Sequence, residues 1–184
     1  MTDFREELYR GFDMFDKQWA LVTAGTVEDF DGCTVGWGSI GNIWKDGNRS
    51  CPIITVYVHP ARYTSEYLLK NDSFTVSFYP ETYRKALGYM GSHSGRNEDK
   101  AVNAGFTPVS VKDTVTFKEA EKTFVCKKLY QHQFDRDSLD PMIQEYYAAN
   151  PKIYPDAEKG WQPHYMFIGE VIEVIKNDEP EGSK

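Results

Sequence analysis

The strongest constraint on this chain is the character of its apolar runs. Ile53-Ile54-Thr55-Val56-Tyr57-Val58 is almost wholly β-branched or aromatic, a composition that suits a pleated surface better than a helix. Phe74-Thr75-Val76-Ser77-Phe78-Tyr79 alternates apolar and hydroxyl side chains, the two-residue period of a half-buried strand. Segments 19–24, 33–37, 123–130 and 165–175 read as further strands. Asp31-Gly32 is a turn dipeptide that predicts a hairpin between the first two, and Pro52 opens the strand over 53–58. The helical pieces between them are short. Thr64 is placed to cap 65–70, and 82–87 stops at Gly88. The stretch 97–104 has acids in its first turn and Gly105 past its end, and 140–147 carries Pro141 at the first helical position. Long strands with short interspersed helices predict a mainly β chain with helices, a barrel rather than a doubly wound sheet.

The length of 184 residues suits one domain, expected over 1–176, with a polar C-terminal tail over 177–184. The stretch 149–163 reads as an ordered loop. Twenty-one basic against 28 acidic residues give a net charge of −7. No Lys/Arg cluster reaches the density that a phosphate backbone demands, so nucleic acid is not an expected partner. No apolar run approaches the roughly 20 residues of a membrane span, and the acidic start, Met1 to Glu7, has no signal segment. Three cysteines, Cys33, Cys51 and Cys126, are an odd number without paired spacing, and the four histidines show no metal spacing. The expectation is a cytoplasmic protein with reduced thiols and no metal. The sequons at Asn48 and Asn71 carry no meaning there. An excess of aromatic residues (12 Tyr, 11 Phe, 4 Trp) exceeds the needs of a small core and suits subunit interfaces or flat ligands.

Gly36-Trp37-Gly38-Ser39-Ile40-Gly41 matches the dinucleotide fingerprint G-x-G-x-x-G literally. That motif works only where a helix starts at the glycines and an acid lies about 20 residues on. Here 42–48 reads as a loop, and Ala61-Arg62 stands where the acid belongs. The fingerprint is rejected. The glycines still mark a place where something approaches the backbone closely, either a ligand or a barrel corner.

Three segments have the chemistry of an anion or cofactor site. Cys33-Thr34-Val35-Gly36-Trp37-Gly38-Ser39 is a hydroxyl- and glycine-bearing strand end. His59-Pro60-Ala61-Arg62-Tyr63-Thr64 brings a guanidinium to a helix start, where the dipole and backbone N–H groups favour a phosphate. Gly91-Ser92-His93-Ser94-Gly95-Arg96-Asn97-Glu98-Asp99-Lys100 leads small hydroxyl residues and two cations into another helix. Each has a plainer reading as well: a surface ion pair for Arg62, a simple cap for Thr64, a polar connection for 91–100. No Ser-His-Asp set can be assembled, and a buried, inert Cys33 is the more frequent case.

These segments, together with 55–64, 74–78 and His164-Tyr165-Met166-Phe167-Ile168-Gly169-Glu170-Val171, resemble in order and spacing the flavin reductase-like, FMN-binding split-barrel family, and most of all its flavoredoxin-type members. The resemblance covers roughly residues 15–175. It implies an antiparallel six-stranded split β-barrel with peripheral short helices, and a homodimer with FMN at the subunit interface. It also implies that Thr34, Val35, Gly36, Trp37 and Gly38, with Ser39 at the strand end, line the flavin ring. Arg62, Tyr63 and Thr64 would hold the phosphate and ribityl end, and Ser92, Ser94, Gly95, Arg96 and Lys100 would add contacts there. The family often has Asp-Val-Asp at 97–99, where this chain has Asn97-Glu98-Asp99. Position 33, commonly Met, is Cys here, which implies a different substrate-side surface. The implied activity is hydride transfer from NAD(P)H to flavin and on to a second acceptor. The alternatives are an electron carrier served by a redox protein, and a barrel without flavin.

Overall fold

The structure, a computed structural model, describes residues 3–150 and 161–177. The strands are β1 (Ala20–Thr26), β2 (Asp29–Val35), β3 (Gly38–Asp46), β4 (Arg49–Val58), β5 (Ser73–Phe78), β6 (Pro108–Val111), β7 (Thr114–Phe117), β8 (Lys122–Gln133) and β9 (Tyr165–Lys176). Seven of them form one sheet in the order β2-β1-β5-β8-β9-β4-β3, and β6-β7 is a separate hairpin. All pairings are antiparallel. β2 and β3 stand at opposite ends of the large sheet, yet only Gly36 and Trp37 separate them in the chain. A two-residue link between opposite edges forces the sheet to curl until those edges are neighbours. The result is a barrel with a seam, the split-barrel class the sequence predicts, with one strand more than the expected six.

The extra strand length comes from β3. Residues 42–48, expected as a loop, continue it to Asp46, and the chain turns at Gly47-Asn48. The register shifts between Ile43 and Lys45, where Trp44 takes a φ of 53°. β3 pairs only on its β4 side, and polar residues are usual on such an edge strand. That is why the segment reads as a loop. No helix starts at the Gly36–Gly41 glycines, in line with rejecting a dinucleotide fold.

The barrel interior is closed by Phe74, Phe78, Phe124 and Phe167 with Val22, Ile54 and Val56, all essentially inaccessible to solvent. Phe78 packs edge-on against both Phe15 and Phe124. A second cluster, around Leu21, Leu87, Met90, Phe106 and Phe117, packs on the face of the sheet opposite Val22. It seats the β6-β7 hairpin, which is not among the expected strands. That hairpin buries the second face of β5, so β5 is buried throughout rather than half-buried. Its hydroxyls are hydrogen-bonded as burial requires. Thr75 donates to the Val115 carbonyl at 2.7 Å, and Ser77 lies 3.1 Å from the Thr116 hydroxyl and 2.9 Å from that of Thr123.

The helices are α1 (Gly11–Asp13), which runs into a π-turn over Met14–Gln18, α2 (Tyr63–Lys70), α3 (Arg84–Ser92), α4 (Lys100–Asn103) and α5 (Pro141–Ala149). α5 matches its prediction, with the Asp140 carboxylate accepting from the Met142 N–H at 2.8 Å. Three boundaries differ from expectation. α3 passes through Gly88 to Ser92. α4 covers only the last part of 97–104, with Asp99 as its cap. The hairpin turn falls at Val27-Glu28, and Asp31-Gly32 lies within β2. Residues 151–160 of the expected loop and 178–184 of the expected tail lie outside the described residues. Among the described residues no helix is long and apolar enough to cross a membrane.

Candidate functional site at the barrel seam

The seam opens a cleft of about 140 Å³ between Cys33–Trp37 at the end of β2 and Tyr57-Val58-His59 at the end of β4, with Arg62 and His164 on its rim. It continues through Gly36, Trp37, Tyr57 and His164 into a groove of about 680 Å³, within the usual range for small-molecule sites. Phe15, Phe134, Ile143, Tyr147 and Trp161 are among the groove walls. Among its described lining residues Asp16 alone carries a formal charge. Gly38 is needed where it stands, because a Cβ there would enter the Phe15 ring. The Trp37 carbonyl accepts from the Tyr57 N–H at 3.4 Å, which holds the link against β4.

The Thr34 hydroxyl donates to the Leu87 carbonyl of α3 at 2.6 Å. Its proton is therefore committed to the fold. Trp37 is half exposed, its ring 4.7 Å from that of His164. Burial, with the charges of His59 and Arg62 nearby, lowers the His164 pKa from 6.5 to about 4, so the ring is neutral at pH 7. His59 accepts the Ala61 N–H on Nδ1 at 3.1 Å and meets His164 edge-on. Arg62 is the N-cap residue of α2 and exposed. Among the described residues it forms no ion pair.

The other predicted residues divide. Tyr63 is the first residue of α2 and does not line the cleft. With Gly95 and Lys100 it lines a second hollow of about 340 Å³, which also holds Asp31 and Glu98. Thr64 is not the cap. It is fully buried, and its hydroxyl donates to the Asp31 carboxylate. Arg96 lies 4.3 Å over the Tyr63 ring and pairs with Glu66 of α2, so the two predicted anion loops do meet. Lys100 is turned inward, buried, and ion-paired with Asp31 at 3.2 Å. Ser92 ends α3, donating to the Gly88 carbonyl at 2.9 Å, and the Ser94 hydroxyl accepts from the Arg96 N–H at 3.3 Å. Neither serine lines the cleft or this hollow. Ser39 faces a separate surface hollow beside Tyr9 and Phe12.

Sequence reasoning does not single out Asp31, Tyr57, His164 or the α5 wall as site residues, whereas His59 lies in one of its three candidate segments. Asp31 was legible only as a turn former. The α5 residues carry no motif and reach the seam by tertiary packing alone. The three cysteines are free and buried, and burial pushes the Cys33 thiol above its usual pKa. The cleft therefore has no activated thiol. What it offers, together with the groove it opens into, is apolar walls, backbone along one edge and, at one end, a guanidinium without an ion-pair partner among the described residues.

Fold and site together define an antiparallel split barrel with a ligand-sized slot at its seam. The sequence pattern of the flavin reductase like domain matches residues 12–183, and the chain belongs to that family. Among solved structures, an FMN-binding protein from Thermus thermophilus with bound p-hydroxybenzaldehyde is similar at 22% identity and TM-score 0.63, over 100% of this chain and 86% of that one. Flavoredoxin from Methanosarcina acetivorans is similar at 19% identity and TM-score 0.63, over 94% and 75% of the two chains. An NADH:FAD oxidoreductase from Streptomyces globisporus is similar at 15% identity and TM-score 0.59, over 87% and 75%. At these identities the likeness is one of fold. No curated protein matches.

Proposed function

We propose that the seam holds FMN and that the protein passes reducing equivalents from NAD(P)H through the flavin to a second acceptor. The observation that carries this reading is the continuity of the slot. A half-exposed tryptophan, a glycine-flanked backbone edge and apolar walls lead to a guanidinium that no described carboxylate neutralises. That donor set fits a flat, uncharged ring joined to a phosphate. The backbone of Thr34 to Gly38 would border the ring. Arg62, helped by the α2 dipole, would hold the phosphate. His164, neutral and packed on Trp37, would keep one side of the slot dry without adding charge. When bound, the flavin supplies the hydride-accepting and hydride-donating chemistry; the protein positions it and leaves one face open.

The groove has no cation among its described walls. A nicotinamide dinucleotide brings a pyrophosphate, which such walls do not serve. This observation favours a second reading, an electron carrier loaded by a redox protein. The homodimer belongs to the same proposal, supported by Leu8 and Phe12, which are 98% and 96% exposed. Two such side chains in water, four residues apart, suit a subunit contact.

The test is a visible absorption spectrum of the purified protein, then NADH or NADPH added without air. Bleaching of a bound flavin and sustained turnover with free FMN support the reductase. Tight FMN with negligible turnover supports the carrier. A colourless protein that fails to quench FMN fluorescence overturns both.

A further inference from the structure

We propose that the buried ion pair Asp31–Lys100 is a positioning device that sets the Arg62 and Arg96 segments in register for the ligand's phosphate. This inference rests on the FMN reading above and deepens it. Asp31 sits in the interior of β2, 3% exposed, where an unpaired carboxylate is costly. Each of its oxygens has a different partner. Oδ1 pairs with the Lys100 ammonium at 3.2 Å, and Oδ2 accepts from the Thr64 hydroxyl. A third element touches it sterically. Gly95 lies so close that a Cβ there would collide with Oδ1. Lys100 Nζ also donates to the His93 carbonyl at 3.4 Å, which ties the start of the 93–99 loop to the same point.

One carboxylate thus contacts α2 through Thr64, the loop through Gly95, and α4 through Lys100. Arg62 is two residues before Thr64, and Arg96 is the residue after Gly95. Both exposed guanidinium groups hang within two residues of an Asp31 contact. A buried ion pair is weak evidence of stability, because desolvation offsets its attraction. Its specific contribution is geometric: two charged groups and a hydroxyl fix relative positions that apolar packing would leave free to slide. The pair is also neutral as a unit. Attraction for a phosphate is left to Arg62 and to Arg96, whose exposed pairing with Glu66 is of the kind that exchanges readily for a better anion.

The experiment measures FMN and riboflavin affinities side by side, by flavin fluorescence quenching, on the full chain and its variants. Riboflavin lacks the phosphate, so the FMN-to-riboflavin ratio isolates what the arginines contribute. Asp31→Asn and Lys100→Met should each cut that ratio by roughly tenfold while leaving riboflavin affinity nearly unchanged. The double variant should lose no more than either single one, as coupled partners do. Gly95→Ala displaces the loop with every charge retained and should also lower the ratio. It keeps the test decisive if Asp31→Asn does not fold. A wild-type ratio in Asp31→Asn or, where that variant does not fold, in Gly95→Ala overturns the proposal. Equal loss of both ligands overturns it too, because that marks a merely structural role. A wild-type chain that binds flavin without preferring FMN defeats the underlying phosphate reading, and this proposal with it.

Discussion

His59 and His164 meet edge to face at the seam, their ring centroids 5.1 Å apart. A proton taken up by His164 would place a positive charge beside the His59 ring and near Arg62. Burial and these neighbours keep the His164 ring neutral at pH 7, and that has a consequence for acid stability.

The pKa of His164 falls from 6.5 to about 4 through burial first, then through repulsion from His59 and Arg62. Below pH 6.5 the unfolded chain takes up a proton that the folded chain refuses. Stability should therefore drop as pH falls from 6.5 to about 4 and level off below that. The loss from this group is on the order of 3 kcal/mol. Urea midpoints measured across this range should fall steeply for the wild type and less steeply for His164→Gln. Parallel slopes would show that another group controls the acid limb.

Arg62 has no ion-pair partner among the described residues, so removing it orphans no carboxylate there. Arg62→Ala should leave the melting temperature nearly unchanged and weaken FMN binding by about 1.5–3 kcal/mol, the range for a charge-assisted hydrogen bond. Fluorescence titration checks this, and an unchanged affinity removes Arg62 from the phosphate site.

Gly38 is the point where the β2–β3 link passes over the Phe15 ring. Gly38→Ala should overpack that contact and cost about 1–3 kcal/mol. The loss should appear in thermal unfolding even without flavin. Gly41, whose added Cβ meets nothing within 4 Å, is the control: Gly41→Ala should be tolerated.

Phe12, 96% exposed, stands on the wall of the groove. If a second copy covers it, light scattering at micromolar concentration should give twice the chain mass of 21.2 kDa. Phe12→Asp should then shift the population toward monomer. A wild-type mass equal to one chain contradicts the dimer.

The central strands were legible because burial on a sheet leaves a compositional trace, as in Ile53 to Val58. The glycine link and Arg62 were legible because their chemistry is local. Asp31 was misread because Asp-Gly is a turn signal wherever the chain is exposed, whereas here Lys100, 69 places further on, makes a strand interior tolerable for the acid. Thr64 looked like a cap for the same reason: its true partner is remote in sequence. Gly88 looked like a stop, but the space around it is open and the helix continues. Trp19 is expected as the first residue of a strand. It instead forms a left-handed corner, φ 65°, with the Arg84 guanidinium over its ring. No periodicity encodes such a corner. Nor does any motif mark the α5 wall, which reaches the seam only through tertiary packing.

Gly36 and Trp37 fasten the first and last staves of the cask to each other. A guest lodged beside them touches both staves at once, and the hoop cannot spring until it leaves. Occupancy therefore works as a clasp on the whole barrel: amide protons of β2 and β3 should exchange with heavy water markedly more slowly in the filled protein, although those strands lie farthest apart in the sheet's bonding order.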